Sequence, residues 1–230
     1  MIPILMYHRI GVPDRKSRFK GQYTPEKMFA RQMKYLFEHG YQTISLRDLI
    51  DSAEQPTPAG AKRICITFDD GYESVYTHGF GILQKYNFTA VVFLVADCIS
   101  KTCLWDKDTE PILKAEQIRE MAEAGIDFGS HSCSHRSLVE LDTGELEKEV
   151  KGSKTVLEEL LGKQIDSFSY PYGAFNETVK KMVQQSYKVA FSTKNGISDI
   201  QGFALPRIDM NKDKILPVFI YLLWEARHKK

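Results

Sequence analysis

The sequence is nearly without net charge: 31 basic side chains face 30 acidic ones, leaving +1 at pH 7. Without a basic stripe there is no electrostatic case for nucleic acid. The short cluster Arg227, His228, Lys229, Lys230 reads as a solvated helix end. Long hydrophobic runs are also missing. None approaches the roughly 20 apolar residues of a membrane span. The apolar opening at residues 1–8 is too short for a signal peptide and lacks a basic start and a small-residue cleavage site. The expected location is therefore cytoplasmic, with an extracytoplasmic one left open should the natural chain be longer. Four cysteines in 230 residues are too few for a disulfide scaffold. Cys65 lies in an apolar run and Cys133 beside a motif, as suits reduced thiols, while Cys98 and Cys103 could close a small loop in an oxidising compartment. No internal repeat, low-complexity tract or composition shift marks a second domain, so residues 1–230 are taken as one domain.

What is present is an alternation of short apolar runs with segments of helical period. Strands are predicted at 2–7, 41–44, 63–68, 89–95, 126–129, 165–169 and 188–191. Between them fall helices at 25–39, 46–51, 77–86, 114–124, 142–161 and 176–185, with a last one at about 212–226. Thr24 is read as the cap of the first helix, Pro25 as its first residue and Phe29, Met33, Leu36 and Phe37 as its apolar face. Asp142 with Glu145 forms a capping box. Residues 54–62 hold Pro56, Pro58 and Gly60 and read as a loop. Strand and helix in turn mean mostly parallel strands. About seven such repeats fit an α/β fold with a closed or nearly closed, deformed (β/α)7-type barrel.

Active groups of such barrels sit where strands end. His8 follows the first strand, Asp69 and Asp70 the strand 63–68, His131 and His135 the strand 126–129, and Tyr170, Pro171 and Tyr172 the strand 165–169. Arg207 and Asp209 follow the apolar stretch 203–206. Adjacent carboxylates repel, so Asp69 and Asp70 need a cation or a partner. Taken alone, Asp-Asp-Gly is as readily a turn with a helix cap. Two imidazoles four residues apart, His131 and His135, can converge on one ion. Cys133 between them would point away. One carboxylate and two imidazoles suit Zn²⁺ first, then Co²⁺, Ni²⁺ or Fe²⁺. Non-haem iron oxygenases use the same trio, so the trio does not fix the chemistry. Asp69 is left as a free base.

Thr67-Phe68-Asp69-Asp70-Gly71, followed by His131-Ser132-Cys133-Ser134-His135 and then Tyr170-Pro171-Tyr172-Gly173, resembles the polysaccharide deacetylases (the NodB-homology group, carbohydrate esterase family 4). The likeness runs from His8 to about Asp209. It implies a deformed β/α barrel, Asp69 as general base, Asp70, His131 and His135 as metal ligands, and the Tyr172 backbone N–H at the oxyanion. Two departures stand out. Ser169 occupies the place of the family's Arg, and the usual C-terminal His is missing, since His228 lies in a charged tail. Leu5-Met6-Tyr7-His8-Arg9-Ile10 is instead similar to the circularly permuted branch, which includes poly-N-acetylglucosamine deacetylases and takes its general acid from an N-terminal Tyr-His. By that likeness His8 is the acid.

The implied reaction is hydrolysis of an acetamide on an N-acetylated glycan or glycan precursor, releasing acetate. Tyr72, Trp105, Tyr170, Pro171, Arg207 and Asp209 are expected to line the substrate site, and Arg207 and Asp209 have a second reading as groups that orient Asp69 or as a structural ion pair. Competing readings are a metal-dependent amidase or esterase acting on another small molecule or an O-acetyl group, a non-catalytic sugar-binding relative, and an iron oxygenase. The oligomeric state is not legible.

Overall fold

The computed structural model describes residues 2–13, 20–51, 61–102, 105, 110–196 and 202–228. Seven parallel strands form a ring. In spatial order they are β1 (Ile4–Tyr7), β10 (Leu205–Asp209), β9 (Val189–Asn195), β8 (Ser167–Ser169), β7 (Asp127–Ser130), β6 (Val91–Leu94) and β5 (Lys62–Phe68). Pairing of β1 with β5, from Ile4↔Cys65 to Tyr7↔Phe68, closes it. An eighth strand, β4 (Tyr41–Thr43), lies on β5 outside the ring, and β2 (Arg9–Ile10) pairs with β3 (Tyr23–Thr24) apart from it. The ring is irregular: β7 and β8 meet at Ser130↔Phe168, and the register of β10 on β9 shifts between Leu205 and Arg207. This is the expected deformed (β/α)7 barrel.

Period-2 geometry explains why these strands read as continuous apolar runs. Ile4, Cys65, Val91, Phe93, Val189, Phe191 and Leu205 pack together in one cluster, inside the ring. Their neighbours Leu5, Ile64, Ile66, Phe68, Val92, Leu94 and Ala190 join a second cluster with helix residues such as Phe29, Met33, Leu157, Val183 and Phe219. Strands covered on both faces need apolar residues at every position. Each such side chain taken from water contributes about 1.5–3 kcal/mol.

The helices covering the ring are α1 (Glu26–Glu38), α2 (Leu46–Asp51), α3 (Gly81–Lys85), α4 (Ala115–Glu123), α5 (Thr143–Glu147), α6 (Ser153–Leu161), α7 (Glu177–Ser186) and α8 (Leu216–His228). Several boundaries differ from expectation. Helix α1 starts one residue late, with Pro25 at the cap, because Thr24 is held in β3 and its hydroxyl donates to the Met210 carbonyl at 3.5 Å. Phe37 is not on the buried face; it is exposed and packs against Tyr86. The capping box holds, with the Glu145 N–H donating to Asp142 at 2.9 Å. The helix it opens is not continuous, since a π-helical turn (Lys148–Gly152) separates α5 from α6. A second π-helical turn (Val75–Phe80) precedes α3. Arg207 and Asp209 lie within β10 rather than beyond the apolar stretch 203–206, since the strand runs from Leu205 to Asp209 with its register on β9 shifting at Pro206. Most of the predicted 54–62 loop and the Cys98–Cys103 pairing fall on residues outside those described. Among the described residues no helix is long and apolar enough to cross a membrane.

Candidate metal centre and active site

Each reactive side chain stands where a strand runs out. The Asp69 N–H donates to the Tyr7 carbonyl at 2.9 Å, carrying the β1–β5 ladder one step past Phe68. The alternation Cys65, Thr67, Asp69 then points the Asp69 carboxylate into the mouth of the barrel. The chain turns at once: Asp70 and Gly71 both have φ of 72°. A side chain at Gly71 would add left-handed strain and put Cβ 2.8 Å from Leu94 Cδ2, which would have to shift, so glycine suits this turn. On β7 the His131 N–H donates to the Leu94 carbonyl at 2.8 Å, and the following loop has positive φ at Ser132 (68°) and His135 (60°).

Those turns bring three ligating atoms together. His135 Nε2 lies 3.1 Å and His131 Nε2 3.3 Å from Asp70 Oδ1. The three residues are buried, and their ligand atoms all lie within 4.8 Å of one another. His131 Nδ1 donates to the Ser169 carbonyl at 2.7 Å. A carbonyl only accepts, so Nδ1 carries a proton and Nε2 is the nitrogen turned to Asp70; loss of the Nε2 proton would leave a lone pair there for a metal, the tautomer a ligand needs. The donor set, its burial and this tautomer fit a divalent cation. Burial would raise the Asp70 carboxyl, but hydrogen bonds from His131 and His135 outweigh it and hold the group well below the carboxylate range. Burial likewise disfavours charge on His131, yet Asp70 and Asp69 raise its pKa above the ordinary histidine value. A proton and a cation therefore compete for this space. Cys133 is no ligand: its thiol donates to the Lys148 carbonyl at 3.3 Å, and burial pushes it up to about 12.

Asp69 is held apart from the cation group by Arg207. Arg207 Nη1 donates to Asp69 Oδ1 at 2.7 Å and Nη2 to Oδ2 at 2.6 Å. The remaining donors go to Thr67 Oγ1 (3.1 Å), Ser169 Oγ (2.9 Å) and the Ser192 carbonyl (3.0 Å). All five guanidinium N–H groups are thus used inside the protein. Below, the rings of Phe93 and Phe191 lie 5.7 and 5.8 Å from the guanidinium carbon. Arg207 is wholly buried and does not line the substrate site as expected; its second reading, a group that orients Asp69, is the one the geometry matches. Ser169 stands where the resemblance expects Arg, and its hydroxyl reaches Asp69 Oδ2 at 3.3 Å; the guanidinium comes instead from β10. Burial alone would raise Asp69, but the charge of Arg207 lowers it below the ordinary value, so the carboxylate stays ionised.

Around these groups lies a cavity of about 210 Å³ lined by His8, Gln22, Asp69, Asp70, Trp105, His131, His135, Tyr172 and Thr193. Trp105 stacks on His135 with centroids 4.5 Å apart, and Tyr172 meets the same imidazole edge-on at 4.6 Å. Tyr172 has φ of 58° and is 57% exposed. The turn at 171–173 also depends on Gly173, where a Cβ would fall 1.9 Å from Thr193 Oγ1. His8 Nδ1, Gln22 Oε1 and His135 Nδ1 are buried without a hydrogen-bond partner among the described residues.

Four other expected lining residues stand elsewhere. Tyr72 is fully buried beneath Arg9, whose Nη2 donates to its hydroxyl at 2.6 Å and whose guanidinium covers its ring. Tyr170 is fully buried, donates to the Phe203 carbonyl at 2.8 Å and stacks on Phe175. Pro171 is buried in the turn that aims Tyr172. Asp209 accepts from Asn211 Nδ2 at 2.8 Å. Gln22 and Thr193 are lining residues that the sequence reading passed over. Thr193 was within reach of the strand-end criterion, since it lies two residues past the predicted end at 191, although β9 itself runs on to Asn195. Gln22 lies in a stretch with no period and no motif.

A family model described as polysaccharide deacetylase matches residues 57–190. The chain is 32% identical over 210 residues to the putative polysaccharide deacetylase YxkH of Bacillus subtilis, which covers 90% of this chain and 70% of that protein. It is 26% identical over 231 residues to the poly-beta-1,6-N-acetyl-D-glucosamine N-deacetylase of Staphylococcus epidermidis, covering 91% of this chain and 78% of the other. In three dimensions it is similar to the Streptococcus pyogenes deacetylase PplD, solved with acetate, at a TM-score of 0.86 and 23% identity, over 96% of this chain and 97% of that one. A polysaccharide deacetylase from Bacillus cereus gives a TM-score of 0.82 at 25% identity, over 96% and 68%. The match spans the strands that carry Asp69, Asp70, His131 and His135, and with it the chain belongs to the polysaccharide deacetylase family.

Proposed function

We propose that the protein is a metal-dependent N-deacetylase, cleaving the acetamide of an N-acetylated glycan or glycan precursor to acetate and a free amine. The observation that carries this reading is the division between two adjacent carboxylates. Asp70 faces two imidazoles, while Asp69 is kept ionised by Arg207 at the wall of the same cavity.

Asp70, His131 and His135 would hold the cation, with Zn²⁺ the proposed native metal. When bound, it supplies Lewis acidity, acidifying water and polarising an amide carbonyl. Asp69 takes the proton of the attacking water, and Arg207 keeps its carboxylate charged and oriented for that step. His8 lines the same cavity and gives a proton to the departing amine. The Tyr172 N–H, in the turn at 171–173, is the proposed donor to the oxyanion. Trp105 and the exposed ring of Tyr172 offer apolar faces to a sugar ring. The substrate named for the staphylococcal relative makes a β-1,6-linked N-acetylglucosamine polymer the first to try.

The test is acetate and amine release with Zn²⁺ or Co²⁺ added. The panel holds poly-N-acetylglucosamine, chitin oligomers, peptidoglycan fragments, lipid- and nucleotide-linked N-acetyl sugars, and O-acetylated glycans. Equal amounts of acetate and new amine, abolished by chelation, are expected from at least one N-acetylated substrate. Acetate without amine would move the assignment to ester cleavage. No acetate from any member with metal bound would end the hydrolase reading.

A further inference from the structure

The loop bearing both imidazoles is bent against the preference of its own residues. Ser132 and His135 sit at positive φ, a region that disfavours any residue with a side chain. Such backbone persists only where surrounding contacts over-determine it. Serines supply part of the hold: the Ser132 N–H donates to Ser130 Oγ at 3.2 Å and the His135 N–H to Ser132 Oγ at 3.0 Å. From outside, the Ala96 and Asp97 N–H groups donate to the Ser132 and Cys133 carbonyls at 3.1 and 2.9 Å, and the loop's own N–H groups in its middle are taken by one side chain, Glu149. Its Oε2 accepts from the N–H groups of Cys133 and Ser134, both at 2.9 Å, and its Oε1 accepts from the Ser134 hydroxyl.

Glu149 is only 6% exposed, and a carboxylate is seldom buried without such partners. It stands on the π-helical turn Lys148–Gly152 between α5 and α6. π-turns are rare and gather at functional sites. Two further contacts tie this turn to the loop. The Cys133 thiol donates to the Lys148 carbonyl at 3.3 Å, and Gly152 lies so close that a Cβ there would be 3.4 Å from Cys133 Sγ. No chemistry in the proposed reaction uses any of these groups.

We infer that Glu149 is a positioning residue for the metal site: with the π-helical turn it locks the 131–135 loop so that His131 and His135 converge on Asp70 before a cation arrives. This rests on the proposed metal centre. It implies that metal affinity, and not only fold stability, depends on Glu149. Supports of this kind behind metal ligands typically change affinity by about 10–100-fold when removed.

The experiment compares Glu149→Ala and Glu149→Gln with wild type. Co²⁺ affinity is measured by competition with a chromogenic chelator, the visible band of bound Co²⁺ is recorded, and metal-free chains are melted thermally. Glu149→Ala should lose about 10–100-fold in Co²⁺ affinity and alter the band. Glu149→Gln should recover most of the affinity, because its carbonyl oxygen can accept both N–H groups while the Ser134 hydroxyl turns to accept from its amide. A folded Glu149→Ala chain with wild-type affinity and spectrum, whatever its melting temperature, would overturn the inference. If that variant does not fold, Glu149→Asp is read instead, since its shorter side chain cannot reach both residues; unchanged Co²⁺ affinity there overturns it equally. A wild-type chain that takes up no Co²⁺ would refute the metal centre itself, a result distinct from any difference among the Glu149 variants.

Discussion

At the amino-terminal end of the barrel a cavity of about 510 Å³ lies among Leu46, Arg47, Asp127, Asp166 and Lys188; the cavity at the carboxyl end has about 210 Å³. The larger one is electrostatically quiet. Lys188 pairs with Asp166 at 2.8 Å, Asp127 accepts from the Leu46 N–H at 2.7 Å, and Arg47 lies 3.7 Å from Asp51. The smaller one holds buried carboxylates side by side and three buried polar atoms with no partner among the described residues. Three of the six non-glycine residues with positive φ among those described line it, Asp70, His135 and Tyr172, and a fourth, Ser132, lies in the loop between its two imidazoles. Volume measures where strands fail to meet. Strain and unmet hydrogen-bonding capacity mark where the fold has been set up for something else to bind.

The difference is tested most sharply inside the carboxyl end itself, by asking whether its two adjacent carboxylates do different work. Asp70→Asn should lose Co²⁺ binding together with acetate release. Asp69→Asn should bind Co²⁺ as wild type does and lose about 10²–10⁴-fold in kcat, the range of a general base. Parallel metal titrations and acetate assays on both variants decide it. Near-wild-type turnover by metal-loaded Asp69→Asn would sink the assignment of Asp69.

Arg207 is the next test. Its charge keeps Asp69 ionised where burial alone would protonate it. In Arg207→Met the carboxylate is left uncompensated, a change that costs about 3–5 kcal/mol at a buried pair. The sign with pH follows from the direction of the shift. In wild type Asp69 is depressed, so its contribution to stability is full above the unfolded carboxyl value near ~3.9 and fades as pH falls through the folded value. In the variant the folded value rises, the penalty is present at neutral pH and is relieved on acidification. The gap in melting temperature between the two chains should narrow as pH falls toward 4. The acid limb of the variant's pH–rate profile should also move to higher pH. A parallel pair of melting curves at all pH values would show that Arg207 does not set the charge of Asp69.

Much of this arrangement was readable before any coordinates. The strand-end rule located His8, Asp69, Asp70, His131, His135 and Tyr172, because a parallel barrel puts every strand's exit on one rim. Continuous apolar runs located the strands themselves, because both faces are covered. What the sequence left open depends on contacts far apart in the chain. Arg207 has two readings there, and the orienting one is decided by its pairing with Asp69 across 138 positions, which only the closure of β10 onto β1 makes possible. Tyr72 and Tyr170 stand beside motifs and so are expected to line the site; both instead point into the core, where Arg9 and the Phe203 carbonyl meet their hydroxyls. Glu149 was hidden by the strong heptad-like face of Leu146, Val150 and Leu157, which predicts a continuous helix and gives no hint of a π-turn within it.

The aromatic wall of the small cavity gives a weaker effect. Trp105 stacks on His135 at 4.5 Å and also faces the cavity. An aromatic pair of this kind is worth about 0.5–1.5 kcal/mol, so Trp105→Ala should raise KM about three- to tenfold. If kcat falls as well while Co²⁺ affinity drops, Trp105 is supporting the ligand rather than the sugar.

The smallest effect is expected at the other end of the barrel, and it checks the contrast between the two cavities. Lys188→Met removes the cation from a pair whose members are 58% and 27% exposed. Such a pair contributes about 1 kcal/mol or less, so the melting temperature should barely move. Acetate release and Co²⁺ affinity should match wild type, because none of the residues lining that cavity has positive φ and the reactive side chains stand at the opposite, carboxyl ends of the strands. The outcome that matters is a change in KM. If Lys188→Met alters KM for a long polymer but not for a single N-acetyl sugar, the amino-terminal cavity contacts glycan too, and its paired charges are exchanged for sugar hydroxyls when the polymer binds. If neither KM changes, size without strain is only a gap between elements.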